Sequence, residues 1–190
     1  MPRKPNYDRT ALIARARDLF WRQGWAGTSL KDLENELKMK PGSFYAAFGS
    51  KDALYELAMD TYAADGAARL TTLVEAEGAL RALQDYPKLV ISRDSAPAQA
   101  CMLAKTVLEL KPRDHPLAAR ATTHLKTMEG LFADVFALAQ AKGEISADRD
   151  PTALARRYQS DLMGLRVSSE RGDIDARLIA DEIAQSLSLL

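Results

Sequence analysis

The 190-residue chain has one cysteine and two histidines, and no run of about 18 uncharged apolar residues. Each shortage excludes something. A single cysteine forbids an intrachain disulfide, which suits a reducing compartment. Without a long apolar run no membrane span is expected. His115 and His124 stand nine residues apart with no cysteine cluster, so they lack the spacing of a metal site. No Ser-His-Asp order, phosphate loop or glycine-rich nucleotide fingerprint is present. Neither an enzyme, a metal nor a cofactor is expected. The N-terminus is basic, but the stretch after it is amphipathic and carries Arg15, Arg17 and Asp18, which excludes a secretory signal and points to the cytoplasm.

What the chain does have is enough apolar residue, 47%, to fill a sizeable core. Its formal net charge is zero, but the charge is unevenly spread. Residues 1 to 55 hold ten Lys/Arg against six Asp/Glu, and the rest hold sixteen against twenty. The basic excess lies where the most specific segment lies, as docking on a polyanion requires.

That segment runs from Thr28 to Asp52. Thr28 or Ser29 can cap a helix whose Leu30, Leu33 and Leu37 share one face, with Asp32, Glu34 and Glu36 opposite. Pro41 disfavours a helical Lys40, so this helix ends near Lys38. Proline suits the first turn of a new helix, which runs from about Pro41 to about Phe48. Phe44 and Phe48, four apart, fall on its inner face with Ala47 beside them. Gly42, Tyr45 and Ala46 fall on the outer face, and Ser43 on the flank. Ser50 caps the next helix, with Asp52 in its first turn. Two short helices with a tight joint, the second greasy behind and bare in front, suit a helix-turn-helix probe for the DNA major groove or, by spacing alone, a pair of core helices in any all-α protein with Tyr45 as a half-buried aromatic.

The detail resembles the tetracycline-repressor (TetR) family of one-component transcription regulators over roughly residues 8 to 60. A first helix carries Ile13, Ala16, Leu19 and Phe20, and Gly24 follows it. Then come Thr28-Ser29, Gly42-Ser43-Phe44-Tyr45, Phe48, and Ser50-Lys51-Asp52-Ala53-Leu54. The resemblance implies an all-α fold: an N-terminal three-helix bundle with the helix-turn-helix (1–55), then a helical sensor and dimerisation domain (56–190). It implies that the helix ending at Phe48 is the recognition helix and that Tyr45 and Lys51 touch phosphates. The DNA-facing set is then Thr28, Ser29, Lys31, Lys40, Pro41, Gly42, Ser43, Tyr45, Ala46 and Lys51. It further implies a ligand-responsive regulator, a repressor before an activator, binding a double-stranded pseudo-palindromic operator as a homodimer. Two departures stand out. Lys38 occupies the joint, where the family often has glycine, and Lys40 occupies the cap, where it usually has Ser or Thr.

Pro and Gly punctuation continues the helices. Met1 to Asn6, with Arg3 and Lys4 between prolines, reads as a flexible arm. Helices are expected from Ser50 into the 70s, from Ala79 to about Ile91 and from Pro97 to Leu110; Pro112 and Pro116 bracket a loop, and a long helix follows to about Lys142 with Gly143 as cap. Asp150-Pro151 opens a helix to about Glu170, striped by Leu154, Tyr158, Leu162 and Leu165. Asp173 is read as the cap of a final helix striped by Ile179, Ile183, Leu187 and Leu190. The stripes suit closure of the core; the resemblance implies instead that both helices meet their copies in a four-helix bundle. Tyr62, Tyr86, Cys101, Met102, Met128, Phe132, Phe136 and Met163 suit either plain core or a pocket for a small, mostly apolar effector. Cys101, at a helix start, reads as a reactive sensor thiol or as an inert small hydrophobe.

Overall fold

Asp8 opens the first helix by accepting bonds from the N–H groups of Thr10 and Ala11. The computed structural model describes residues 8–92 and 96–190, so the arm read over Met1 to Asn6 lies outside the described residues. Within them all regular structure is helical: α1 (Arg9–Gln23), α2 (Leu30–Leu37), α3 (Pro41–Phe48), α4 (Lys51–Glu77), α5 (Ala79–Ile91), α6 (Met102–Leu110), a 3-10 turn (Lys111–Arg113), α7 (Pro116–Ala141), α8 (Pro151–Arg171) and α9 (Ala176–Leu187). No helix is long and apolar enough to cross a membrane among the described residues.

Two buried clusters hold the helices. The first joins α1 to α4 and continues without a break into α6 and the start of α7, through Met102, Leu103, Leu110, Leu117 and Ala121. The second packs the end of α4 with α5, the later part of α7, α8 and α9. α4 and α7 run through both, and that shared framing fixes the helix-turn-helix relative to the rest.

Three local readings change. No helix begins at Pro97. α6 starts at Met102, and the backbone of residues 99–100 is tied to other elements. Glu170 accepts from the N–H groups of Gln99 and Ala100, Arg166 donates to the Gln99 carbonyl, and Trp21 Nε1 donates to the Ala100 carbonyl at 2.6 Å. α9 is capped by Asp175, which accepts from Arg177 N, while Asp173 pairs with Arg171 just after α8 ends.

The third concerns the stripes of α8 and α9. Leu154, Tyr158, Leu162, Leu165, Ile183 and Leu187 are buried within this single chain, and Ile179 is half-buried. They face α5 and α7, so they build the chain's own core and leave the opposite helix faces outward. Tyr158 has a specific task there. Pro87, buried inside α5, has no N–H for the carbonyl four residues back, that of Leu83. The Tyr158 hydroxyl donates to that carbonyl at 2.6 Å.

Candidate nucleic-acid interface and cavity

The joint between α2 and α3 sets the probe. Ser29 caps α2 through a capping box: its hydroxyl accepts from Asp32 N, and the Asp32 carboxylate accepts from Ser29 N. The Ser29 hydroxyl and backbone hold the Asp32 carboxyl below the usual carboxylate range. α2 ends in a Schellman motif, with Met39 N donating to Glu34 O and Lys38 N to Asn35 O. That motif needs a left-handed residue, and Lys38 adopts it at φ 54 and ψ 43. The departure from glycine therefore leaves the joint's shape intact and stores strain of about 1–2 kcal/mol. Lys40 is extended at φ −78 and ψ 152, and its side chain makes no cap bond.

α3 then presents the face read from its spacing. Phe44 (0% exposed) and Phe48 (5%) lie in the core with ring centroids 5.7 Å apart. Pro41, Gly42, Ser43, Tyr45 and Ala46 are exposed, as are Ser29, Lys31 and Lys40. Tyr45 is braced edge-on against Phe44 at 5.5 Å. Arg9, which sequence reasoning missed, sits over the Phe48 ring at 5.5 Å on the same end of the molecule. Its only sequence signal is a cation at the first position of a helix that also feeds this core.

Two members of the expected DNA-facing set are engaged inside the chain. Thr28 is fully buried, and its hydroxyl donates to the Gly24 carbonyl at 2.7 Å, closing the α1–α2 loop. It has no surface with which to meet DNA. Lys51 donates to the carbonyls of Trp25 (2.8 Å) and Thr28 (2.9 Å), with its ammonium 4.0 Å from the Trp25 ring centroid. Burial pushes its pKa down. Two of its three protons thus hold that loop against α4.

α6 grips the same loop from behind. The Glu109 carboxylate accepts from Trp25 N (3.0 Å) and Ala26 N (2.7 Å), and Lys105 donates to the carbonyls of Trp21 and Arg22. Gly24, at φ 78, would drive any Cβ to 2.8 Å from Glu109 Oε2, so the grip depends on glycine there. Trp25 Nε1 donates to Asp52, and His115, the cap of α7, stacks near Trp25. No local pattern could have revealed Glu109 or Lys105, because their partners lie more than eighty residues away.

A cavity of about 300 Å³ opens among α4, α5, α6, α7 and α8. Tyr62, Tyr86, Cys101, Met128, Phe132 and Met163 line it, as read from the sequence. Met102 and Phe136 do not. Met102 is buried in the first core, and Phe136, one turn beyond Phe132, packs edge-on against Tyr158 in the second. His124, read from the sequence as facing solvent or lining a cavity, is on the wall, and four other polar wall residues escaped the reading: Asp60, Arg69, Gln159 and Arg166. Of these Arg69 had a signal, since it follows Tyr62 by seven residues on one face of α4. Asp60 is held by a bidentate Arg120 and by His124 Nε2 at 2.8 Å.

The geometry agrees with what comparison with known proteins finds. A model of bacterial regulatory proteins of the tetR family matches residues 12–58, and one of the tetracyclin repressor-like C-terminal domain matches residues 66–171. The HTH-type transcriptional regulator YezE of Bacillus subtilis is 29% identical over the whole of both chains. The HTH-type transcriptional repressor ComR of Escherichia coli is 28% identical over 87% of this chain and 81% of its own. Among solved structures, a cysteine mutant of the TetR-family regulator CifR in complex with 26-bp double-strand operator DNA superposes with a TM-score of 0.80. It is 27% identical and covers 97% of each chain. The chain belongs to the TetR family of bacterial regulatory proteins and is a DNA-binding, helix-turn-helix transcriptional regulator.

Proposed function

We propose that the protein is a cytoplasmic homodimeric repressor that binds a pseudo-palindromic operator and releases it when a small molecule fills the cavity. The observation that carries this reading is α3, bare in front and braced behind by Phe44 and Phe48. Ser43, Tyr45 and Ala46 meet the major groove, with Pro41 and Gly42 allowing close approach and Ser29, Lys31 and Lys40 near phosphates. Thr28 and Lys51 act from behind by fixing the loop that sets the angle of α2. With so few side-chain donors on α3, specificity leans on thymine methyl contacts and DNA shape.

One such helix offers too few contacts for useful affinity, and two in successive grooves must stand about 34 Å apart. The outward faces of α8 and α9 suit the pairing. Ser160, Gly164 and Val167 on α8 share one exposed face, Leu178, Glu182 and Gln185 share another on α9, and Leu189 is exposed just beyond it. Small residues on the first allow close helix approach, and the exposed Val167, Leu178 and Leu189 supply apolar area. The DNA-binding and sensing parts divide within α4. The cavity, with Cys101 on its wall, is the sensing site.

Selection of bound fragments from genomic DNA, followed by gel shifts on the recovered duplexes, tests the reading. Sedimentation at the same concentrations should give twice the chain mass. A monomer that ignores duplex DNA at low ionic strength would end the proposal. A reporter with the operator placed over a promoter, and then upstream of it, separates repression from activation.

A further inference from the structure

The cavity carries a chemical preference that its largely apolar wall conceals. Tyr62 is buried and its hydroxyl makes no well-formed hydrogen bond, with only the Cys101 thiol and the Met102 N–H as near polar neighbours on its own side of the cavity. Tyr62 lines the cavity together with Cys101 and Arg166, and the Arg166 charge is near enough to act on its hydroxyl. Burial pushes its pKa far above the ordinary phenol value, so it stays a neutral donor. An unsatisfied buried donor is costly, and a ligand acceptor would relieve it.

Arg166 points the same way. Its Nε donates to the Gln99 carbonyl at 2.8 Å, and no ion pair or other hydrogen bond engages its terminal nitrogens among the described residues. A second arginine, Arg69, also lines the cavity without an ion pair among the described residues. Its Nη2 lies 4.0 Å from where a Cβ on Gly66 would stand, so the side chain folds back along α4 into space that the glycine leaves open. Asp60 is the one acid among the described lining residues, and Arg120 and His124 already compensate it. Two arginines thus remain without a counter-ion on a largely apolar wall, Arg166 resting over the Trp21 ring at 5.7 Å.

We propose that this cavity binds a compact monocarboxylate with an aryl or medium-length alkyl body, its anion held at the end formed by Tyr62 and Arg166. A carboxylate accepts from the tyrosine O–H and the guanidinium N–H groups together, and charge-assisted bonds of this kind are the stronger class. The body lies along Leu103, Leu125, Met128 and Leu162. A volume of about 300 Å³ is at the small end for ligand sites, which selects one ring or a short chain. The inference rests on the ligand-responsive reading for its consequence at DNA, but not for the binding itself.

Isothermal titration of the full-length protein with phenylacetate and octanoate, each beside its amide, tests it. At least one acid should bind saturably and at least tenfold more tightly than its amide. Tyr62→Phe and Arg166→Gln should each weaken the acid at least tenfold and the amide less than threefold. Tyr62→Phe removes only an unpartnered hydroxyl, so it should unfold at no lower temperature than the parent, which guards against a folding artefact. Amides that bind as well as acids, acids that do not bind, or an unchanged acid affinity in Tyr62→Phe would each overturn the proposal. Gel shifts with the same compounds separate the two ideas. Tight acid binding with no change in operator affinity keeps the site and ends the ligand-responsive reading. Release from DNA by a neutral occupant alone keeps that reading and ends the carboxylate.

Discussion

Tyr158 and Pro87 should be energetically coupled across 71 residues of sequence, and the size of that coupling can be worked out. The proline leaves the Leu83 carbonyl without its helical donor, and the tyrosine hydroxyl fills the place at 2.6 Å in a site where Tyr158 is 2% exposed. Tyr158→Phe keeps the ring, with its edge-on contacts to Phe132 and Phe136, and removes only the bond. Leaving a buried carbonyl unpaired costs about 2 kcal/mol. For a chain of this size that lowers Tm by roughly 4–8 °C. In a Pro87→Ala background the new N–H can donate to Leu83, so the same substitution should cost about 0.5–1 kcal/mol. The coupling energy is then about 1–1.5 kcal/mol, whatever Pro87→Ala does alone. Denaturant unfolding of the four proteins at one fixed concentration measures it, the fixed concentration being needed because association shifts apparent stability. An equal cost of Tyr158→Phe in both backgrounds would refute the assignment of that hydroxyl to the proline's vacated carbonyl.

Lys38→Gly should stabilise the protein by about 0.5–1 kcal/mol, the left-handed penalty less the entropy glycine adds to the unfolded chain. Lys38→Ala should give no such gain in the same melts, since alanine keeps the penalty. Glu109→Gln should cost about 1–3 kcal/mol by weakening charge-assisted bonds to Trp25 and Ala26, and should also weaken operator binding in gel shifts. Unchanged DNA affinity would show that the loop does not set the angle of α2. The Asp32 carboxyl is held below its ordinary range, so the stability it contributes is complete above its unfolded pKa and is lost as pH falls through the lower folded value. The stability gap between the parent and Asp32→Ala should therefore close on acidification, and a gap that persists in acid would count against the box.

Helix ends were legible where a local rule decides them. Pro41 and Pro151 open helices because proline suits a first turn, and Gly24 and Gly143 follow the ends of α1 and α7, although the same proline rule failed at Pro97. The front and back of α3 were legible for the same reason, since residues four apart share a face whatever surrounds them. What lay out of reach was which element covers a given face. Leu154, Tyr158, Leu162 and Leu165 make one stripe whether the cover is α5 and α7 or a second copy, and spacing cannot distinguish those covers. Thr28 and Ser29 are equally good caps by type; the Gly24 carbonyl takes the first hydroxyl and frees the second for Asp32. Lys51 carries the same charge toward DNA or toward the Trp25 carbonyl. The cavity's polar corner was hidden because Tyr62, Cys101 and Arg166 come from three helices or their caps.

α6 links that corner to the DNA-binding end. Cys101, its first-turn cap, lines the cavity, while Lys105, Thr106 and Glu109 hold Trp21, Tyr55 and the Trp25–Ala26 backbone. The strap before it is fixed by Arg166 and Glu170 on one side and by Trp21 on the other. Because the first core runs from α1 through α6 into α7, the helix-turn-helix has no separate footing to keep when this end of the cavity rearranges. An occupant that draws Arg166 toward itself must either keep or give up the Gln99 carbonyl, and Ala100 beside it is what Trp21 of α1 holds. A tenfold change in operator affinity requires a difference of only about 1.4 kcal/mol between the occupant's binding to the two arrangements. A single charge-assisted hydrogen bond made in one arrangement and lost in the other supplies about 1.5–3 kcal/mol. The contacts proposed at Tyr62 and Arg166 would therefore be large enough to shift operator affinity tenfold without any rearrangement of the apolar wall.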